Sequence, residues 1–135
     1  MGHYDVVPVE QSAMKLWTAK PFGGEVKNGA IWGRGSIDDK LSVISILEAT
    51  ENLLKQGYTP KRTVLLCFGH NEESTGTGAI AIVRYLQSKN IRAQMVVDEG
   101  GEISTNKIKG VQRPVAFIGV AEKGYLTVEL TVEKK

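Results

Sequence analysis

Histidine and acidic side chains recur in four short turns of this 135-residue chain: His3 and Asp5 in "GHYD", Asp38 and Asp39 in "GRGSIDDK", Glu72 and Glu73 in "GHNEE", and Asp98 in "VVDEGG". One imidazole among several carboxylates is the donor set of a divalent ion such as zinc, manganese or cobalt, with one carboxylate able to bridge two ions. His3, Asp38, Glu73 and Asp98 make up such a set. Asp5 follows His3 by two positions, so on an extended segment it points the same way. It can then accept the spare imidazole N–H, which fixes the tautomer and raises ligand basicity. Neighbouring side chains leave the backbone in different directions, so Glu72 and Glu73 divide the work. One serves as a ligand, and the other, unbound beside the ion, is free to act as a general base.

Each feature taken alone has a plainer reading. A His-x-Asp pair can be structural, Asp38 and Asp39 can cap the helix that follows, Glu72 and Glu73 can lead solvated into the next helix, and Asp98 can be a loop acid. Their recurrence at successive element ends is what favours a metal site. His70 is read as pocket lining rather than a ligand. There is no G-x-S-x-G elbow for a serine nucleophile, and "GRGS" and "GTGA" read as tight turns, since no Walker lysine accompanies them.

The elements that must position these turns follow from periodicity. "GHYDVVPV" is a short β-rich run ended by Pro8. Residues 10–21 are irregular, with Trp17 as an anchor. "GEVKNGAIWGRG" reads as a hairpin turning at Asn28-Gly29. Leu41, Ile44, Leu47 and Leu54 recur at helical spacing, which predicts a helix over about Asp39–Gln56 with Gly57 ending it. "RTVLLCFGH" and "AQMVVDEGG" are apolar without alternation and predict parallel strands buried on both faces, with Cys67 a buried, inert thiol. Ile80, Val83 and Leu86 predict a second helix over Ala79–Lys89. "YLTVELTV" alternates strictly and predicts a half-exposed antiparallel strand. Strands alternating with helices make the chain α/β, and in open α/β sheets ligands bind beyond the carboxyl ends of the strands.

Composition narrows the function further. A net charge of +2 with no basic run gives no footing for nucleic acid or a membrane surface, and no apolar run is long enough to span a bilayer. A single cysteine excludes a disulfide framework and a Cys-rich zinc site. "MGHYDVVPVEQ" lacks the segments of a signal peptide, and the compartment stays unknown. Both ends are abrupt, which points to a piece of a longer protein.

Taken together, "GHYDVVP", "WGRGSIDDK", "GHNEESTGTGA" and "VVDEGG" resemble the M20 metallopeptidase family, closest to its branch of carboxypeptidase S-like enzymes, Gly-X carboxypeptidases and N-acyl-amino-acid hydrolases. The resemblance runs from Gly2 to about Val132. It implies an open, mostly parallel sheet with helices on both faces, zinc-exopeptidase-like and here incomplete at both ends. Residues 1–124 would belong to the catalytic domain, and 125–135 would begin an inserted lid or dimerisation domain through which a homodimer can form.

By the same resemblance, His3 and Asp98 ligate one metal, Asp38 bridges two, Glu73 ligates the other, Asp5 orients His3, and Glu72 is the general base. A further histidine ligand of the family lies downstream of the inserted domain. Asn71 stands where the family usually has an acid. The implied cofactors are two divalent ions, zinc foremost with cobalt or manganese as alternatives. The implied substrate is a short peptide or an N-acyl amino acid. Two other readings stay open: an inactive truncated fragment that binds metal weakly, and a small-molecule amidohydrolase or deacetylase of the same family.

Overall fold

A computed structural model of the chain describes residues 1–133. In order, its elements are β1 (Gly2–His3), a 3-10 turn (Gln11–Leu16), β2 (Glu25–Lys27), β3 (Ala30–Trp32), α1 (Lys40–Lys55), β4 (Phe68–Gly69), α2 (Thr77–Ser88), β5 (Glu102–Ser104) and β6 (Val115–Phe117). They fall into two compact units, Met1–Glu99 and the stretch from Gly100 onward. No described helix is long and apolar enough to cross a membrane.

In the first unit, β1 and β4 pair in parallel, with Gly2 opposite Phe68 and His3 opposite Gly69. Tyr4 N–H donates to the Gly69 carbonyl at 3.1 Å and Gly2 N–H to that of Cys67 at 3.2 Å. These bonds lay the "GHYD" turn beside "GHNEE". Helix α1 packs against β1, and α2 against β4. The β2–β3 hairpin forms where Asn28-Gly29 predicts it: φ is 54° and 73° at these residues, the pair of positive values that a primed two-residue turn needs.

Helix α1 ends as its sequence requires. Gly57 takes φ of 73°, its N–H reaches the Leu54 carbonyl at 2.9 Å, and the Tyr58 N–H reaches that of Leu53 at 3.0 Å. That is a Schellman close, which a side chain at residue 57 would strain. The second helix is held at its start by Asn71, whose Oδ1 accepts the Gly78 N–H at 2.8 Å. A Cβ on Gly78 would stand 2.8 Å from that oxygen, so a side chain there would displace the Asn71 amide.

The doubly buried strands predicted for "RTVLLCFGH" and "AQMVVDEGG" are formed only in part. Pairing is confined to Phe68–Gly69, while Val64, Leu65 and Leu66 remain 64, 45 and 39% exposed. Residues 95–98 carry no ladder, although the Met1 amino group contacts the Val97 carbonyl. Among the described residues no hydrophobic side chain is fully buried, and Cys67 is partly exposed rather than sealed. The physical reason is that an apolar run specifies that it should be covered, whereas a ladder and a covering layer both need neighbours beside it.

In the second unit β5 pairs antiparallel with β6, Ile103 opposite Ala116. Lys107 pairs with Glu102 and lies 5.6 Å over the Phe117 ring. The "YLTVELTV" strand predicted from alternation does not form: residues 125–133 carry no ladder, and Leu126 and Val132 are 82 and 94% exposed.

Candidate metal centre

The site begins at β1, whose two residues are both buried. The parallel pairing with β4 directs the Gly2 and Tyr4 N–H groups to one side. The intervening His3 N–H therefore points to the other, where Asp39 Oδ2 accepts it at 3.0 Å. The His3 ring is 2% exposed and surrounded by acids. Its Nε2 lies 2.9 Å from Asp38 Oδ1, 3.1 Å from Glu99 Oε1 and 3.8 Å from Glu72 Oε2. Its Nδ1 is 3.2 Å from the Asp5 carbonyl and 3.3 Å from Asp5 Oδ1.

Asp5 also ties the acidic pair to β1. Its Oδ1 accepts the Glu72 N–H at 3.0 Å and its Oδ2 the Glu73 N–H at 3.1 Å. Asp5 thus meets the imidazole through its main-chain carbonyl, with Oδ1 beside it at 3.3 Å, and holds the backbone of both glutamates through its carboxylate. Asp5→Ala is expected to leave those two N–H groups unpaired and to remove the carboxylate beside Nδ1, so that the ring keeps only the main-chain carbonyl of residue 5 on that side. Zinc affinity by calorimetry should fall about 10–100-fold, the usual cost of losing such an outer partner.

Two sets of ligand atoms lie within 4.8 Å of one another: His3 with Asp38 and Glu73, and His3 with Asp39 and Glu99. The first contains three of the four residues singled out from the sequence. Asp98 belongs to neither set; its Oδ1 accepts the Glu99 N–H at 3.1 Å. Side chains of successive extended residues point oppositely, and here Glu99 is the one that turns toward His3. Glu99 has no role assigned by sequence, where Asp39 stands only as a helix cap. The signal for Glu99 was the adjacent acid pair itself, the same form that drew attention to Glu72-Glu73. His70 is exposed and stands beside Gly78, whose added Cβ would lie 3.2 Å from its Nδ1.

The electrostatics fit a crowd of carboxylates around one imidazole. Burial by itself would lower the His3 pKa, but the hydrogen bond to Asp38 and the charges of Glu99, Glu72 and Asp38 outweigh it and raise it. Glu99 is pushed up to about 7, first by burial and then by the neighbouring Asp39 charge, against the pull of His3. At Asp5 burial opposes ionisation, yet the backbone N–H groups of Glu72 and Glu73 hold its carboxyl below the usual range. Carboxylates packed this closely repel one another, and a divalent cation is the partner that would relieve it.

The Asp38–Asp39 peptide bond is cis. Gly35, on the loop leading to it, has φ of 83°, and a Cβ there would come 2.3 Å from Val6 Cγ1. The loop therefore lies against the segment that follows β1. A cleft of about 170 Å³ opens beside it, lined among others by Gly33, Arg34, Ser36, Asp38 and Glu73.

Comparison with known proteins agrees with this chemistry. The family model described as Peptidase family M20/M25/M40 matches residues 1–133. A Danio rerio protein named N-fatty-acyl-amino acid synthase/hydrolase PM20D1.1 is 45% identical over 133 residues, covering 98% of this chain and 25% of the relative. Its Homo sapiens counterpart, PM20D1, is 43% identical over 132 residues, covering 98% and 26%. A Dictyostelium discoideum protein named probable carboxypeptidase S-like 1 is 45% identical over 133 residues, covering 96% and 27%. The chain spans about a quarter of the length of these relatives. No solved structure matches it. The chain belongs to peptidase family M20/M25/M40, a family of metal-dependent hydrolases.

Proposed function

We propose that the protein hydrolyses the amide bond of a short peptide or an N-acyl amino acid, and that this chain carries most of its metal site. The observation that carries the reading is the convergence of His3, Asp38 and Glu73, from three separate turns, to within 4.8 Å. The names of the relatives support it: one group acts on N-fatty-acyl amino acids, and the other is named for carboxypeptidase activity. Imidazole and carboxylate oxygen suit zinc, with cobalt or manganese as alternatives.

In this reading His3, Asp38, Glu73 and Asp98 would hold a pair of divalent ions, with Asp38 shared between them. Such ions supply Lewis-acid polarisation of the scissile carbonyl and lower the pKa of water from about 15.7 toward neutrality. Glu72 accepts the proton of the attacking water and returns it to the leaving amine. Asp5 keeps the His3 ring and the Glu72 backbone in place while it does so. The cleft beside Asp38 and Glu73 is where the scissile amide enters.

The wider architecture proposed is an open, mostly parallel sheet with helices on both faces, of which the β1–β4 pair and its two helices are a part. Residues 1–124 belong to that catalytic domain. Residues 125–135, of which 134–135 lie outside the described residues, begin an inserted lid that supports dimer formation.

The test is hydrolysis of an N-acyl amino acid and of a dipeptide by the full-length protein, before and after chelation. Activity lost on chelation and restored by zinc is the expected outcome. Turnover unaffected by chelation would refute the metal-dependent reading, and preference between the two substrates separates acyl-amino-acid hydrolase from carboxypeptidase. Zinc affinity also decides between the two acids of "VVDEGG": Asp98→Ala should weaken it more than Glu99→Ala, and the reverse order would put the ligand on Glu99.

A further inference from the structure

Asp39 is the most thoroughly buried acid of the first unit, at 1% exposure. Asp commonly caps the helix it precedes, yet the side chain of Asp39 makes no capping bond to α1. Its Oδ2 accepts the His3 N–H instead, across 36 residues of sequence. That donor lies on the side of β1 turned away from β4, where no strand among the described residues pairs with it, and a buried backbone N–H without an acceptor is costly. Asp39 therefore stands where a neighbouring strand's carbonyl would otherwise be.

The approach is made possible by Gly2. A Cβ there would stand 2.6 Å from Asp39 Oδ2 and 3.3 Å from Val43 Cγ2, so any side chain would displace the Asp39 carboxylate and crowd the Val43 methyl. Asp39 also sits next to Asp38 in sequence, so one short segment both faces the His3 imidazole through Asp38 Oδ1 and fixes the His3 backbone through Asp39.

We infer that Asp39 is a positioning residue: seated against Gly2, it fixes the backbone of His3 so that the imidazole meets Asp38 in ligand geometry. This rests on the metal-site reading above. What matters is an oxygen acceptor at Asp39, not its negative charge, and that separates positioning from ligation.

The experiment uses the full chain with three variants, Asp39→Ala, Asp39→Asn and Gly2→Ala, each read in two ways. Amide hydrogen exchange of His3, followed by NMR without metal, reports whether the bond is held. Calorimetric titration with Zn²⁺ reports its consequence. Asp39→Ala should speed exchange at His3 and weaken zinc binding about 10–100-fold. Asp39→Asn keeps an oxygen acceptor and should restore both. Gly2→Ala should reproduce the Asp39→Ala result and add nothing to it in the double variant.

If Asp39→Asn binds zinc as poorly as Asp39→Ala, the carboxylate acts through its charge or as a ligand, and the inference fails. It fails also if exchange at His3 or zinc affinity is unchanged in Asp39→Ala. Should that variant not fold, Asp39→Asn and Gly2→Ala carry the same decision. A wild-type chain that takes up no Zn²⁺ counts against the underlying metal reading, while the exchange rates still decide whether Asp39 holds His3.

Discussion

Glu72→Gln is expected to abolish most turnover in the full-length protein while leaving its zinc affinity where it was. Glu73 is drawn into the ligand set with His3 and Asp38, whereas Glu72, its neighbour, is in neither set. The Glu72 side chain is 57% exposed, with Oε2 3.8 Å from His3 Nε2. It is near enough to share the field of the site and open enough to meet water. A glutamine keeps the size and the backbone bond to Asp5 but cannot take a proton. General-base catalysis is worth about 10²–10⁴ in rate, or about 3–5 kcal/mol of barrier. Steady-state kinetics beside metal analysis checks this, and a variant that retains turnover would remove Glu72 from the role.

The second large effect is expected at His3. Four acids of the site meet this residue: Asp38 and Glu99 at Nε2, Asp5 at Nδ1, and Asp39 at the backbone N–H. His3→Ala removes the single imidazole donor and leaves Asp38, Asp39 and Glu99 facing one another with no positive partner. Zinc affinity should fall by more than the about 10–100-fold that follows loss of an outer partner. The structural fingerprint of β1 should survive, because the backbone bonds of Gly2 and Tyr4 to β4 do not involve the ring. His3→Ala with undiminished zinc binding would place the metal elsewhere.

What was legible in the sequence was local. Asn28-Gly29 specified a turn that few other dipeptides can make, and Gly57 specified the end of α1, because both depend on the φ that a residue tolerates. The ligand candidates were legible because an imidazole and several carboxylates fell at successive element ends. Asp39 was not, since capping is a preference between near neighbours and its real partner is 36 residues away.

Pairing partners are likewise not contained in a run of apolar residues. "TVLLC" announces that it should be covered, but nothing in it says by what, and Val64 stands 64% exposed. The β5 strand, Glu102–Ser104, is too short to show a period. "YLTVELTV" had the period and no partner among the described residues. Family membership was legible because it rests on motif order, which survives where pairing does not.

The most direct measurement is a calorimetric Zn²⁺ titration of the full chain beside His3→Ala, with folding of both checked by circular dichroism. Saturable binding by the wild type that is lost in His3→Ala is the expected result. It would establish that residues from three turns of this chain already form a metal site. A folded wild-type chain that binds no zinc, or binds it equally without His3, would contradict that claim.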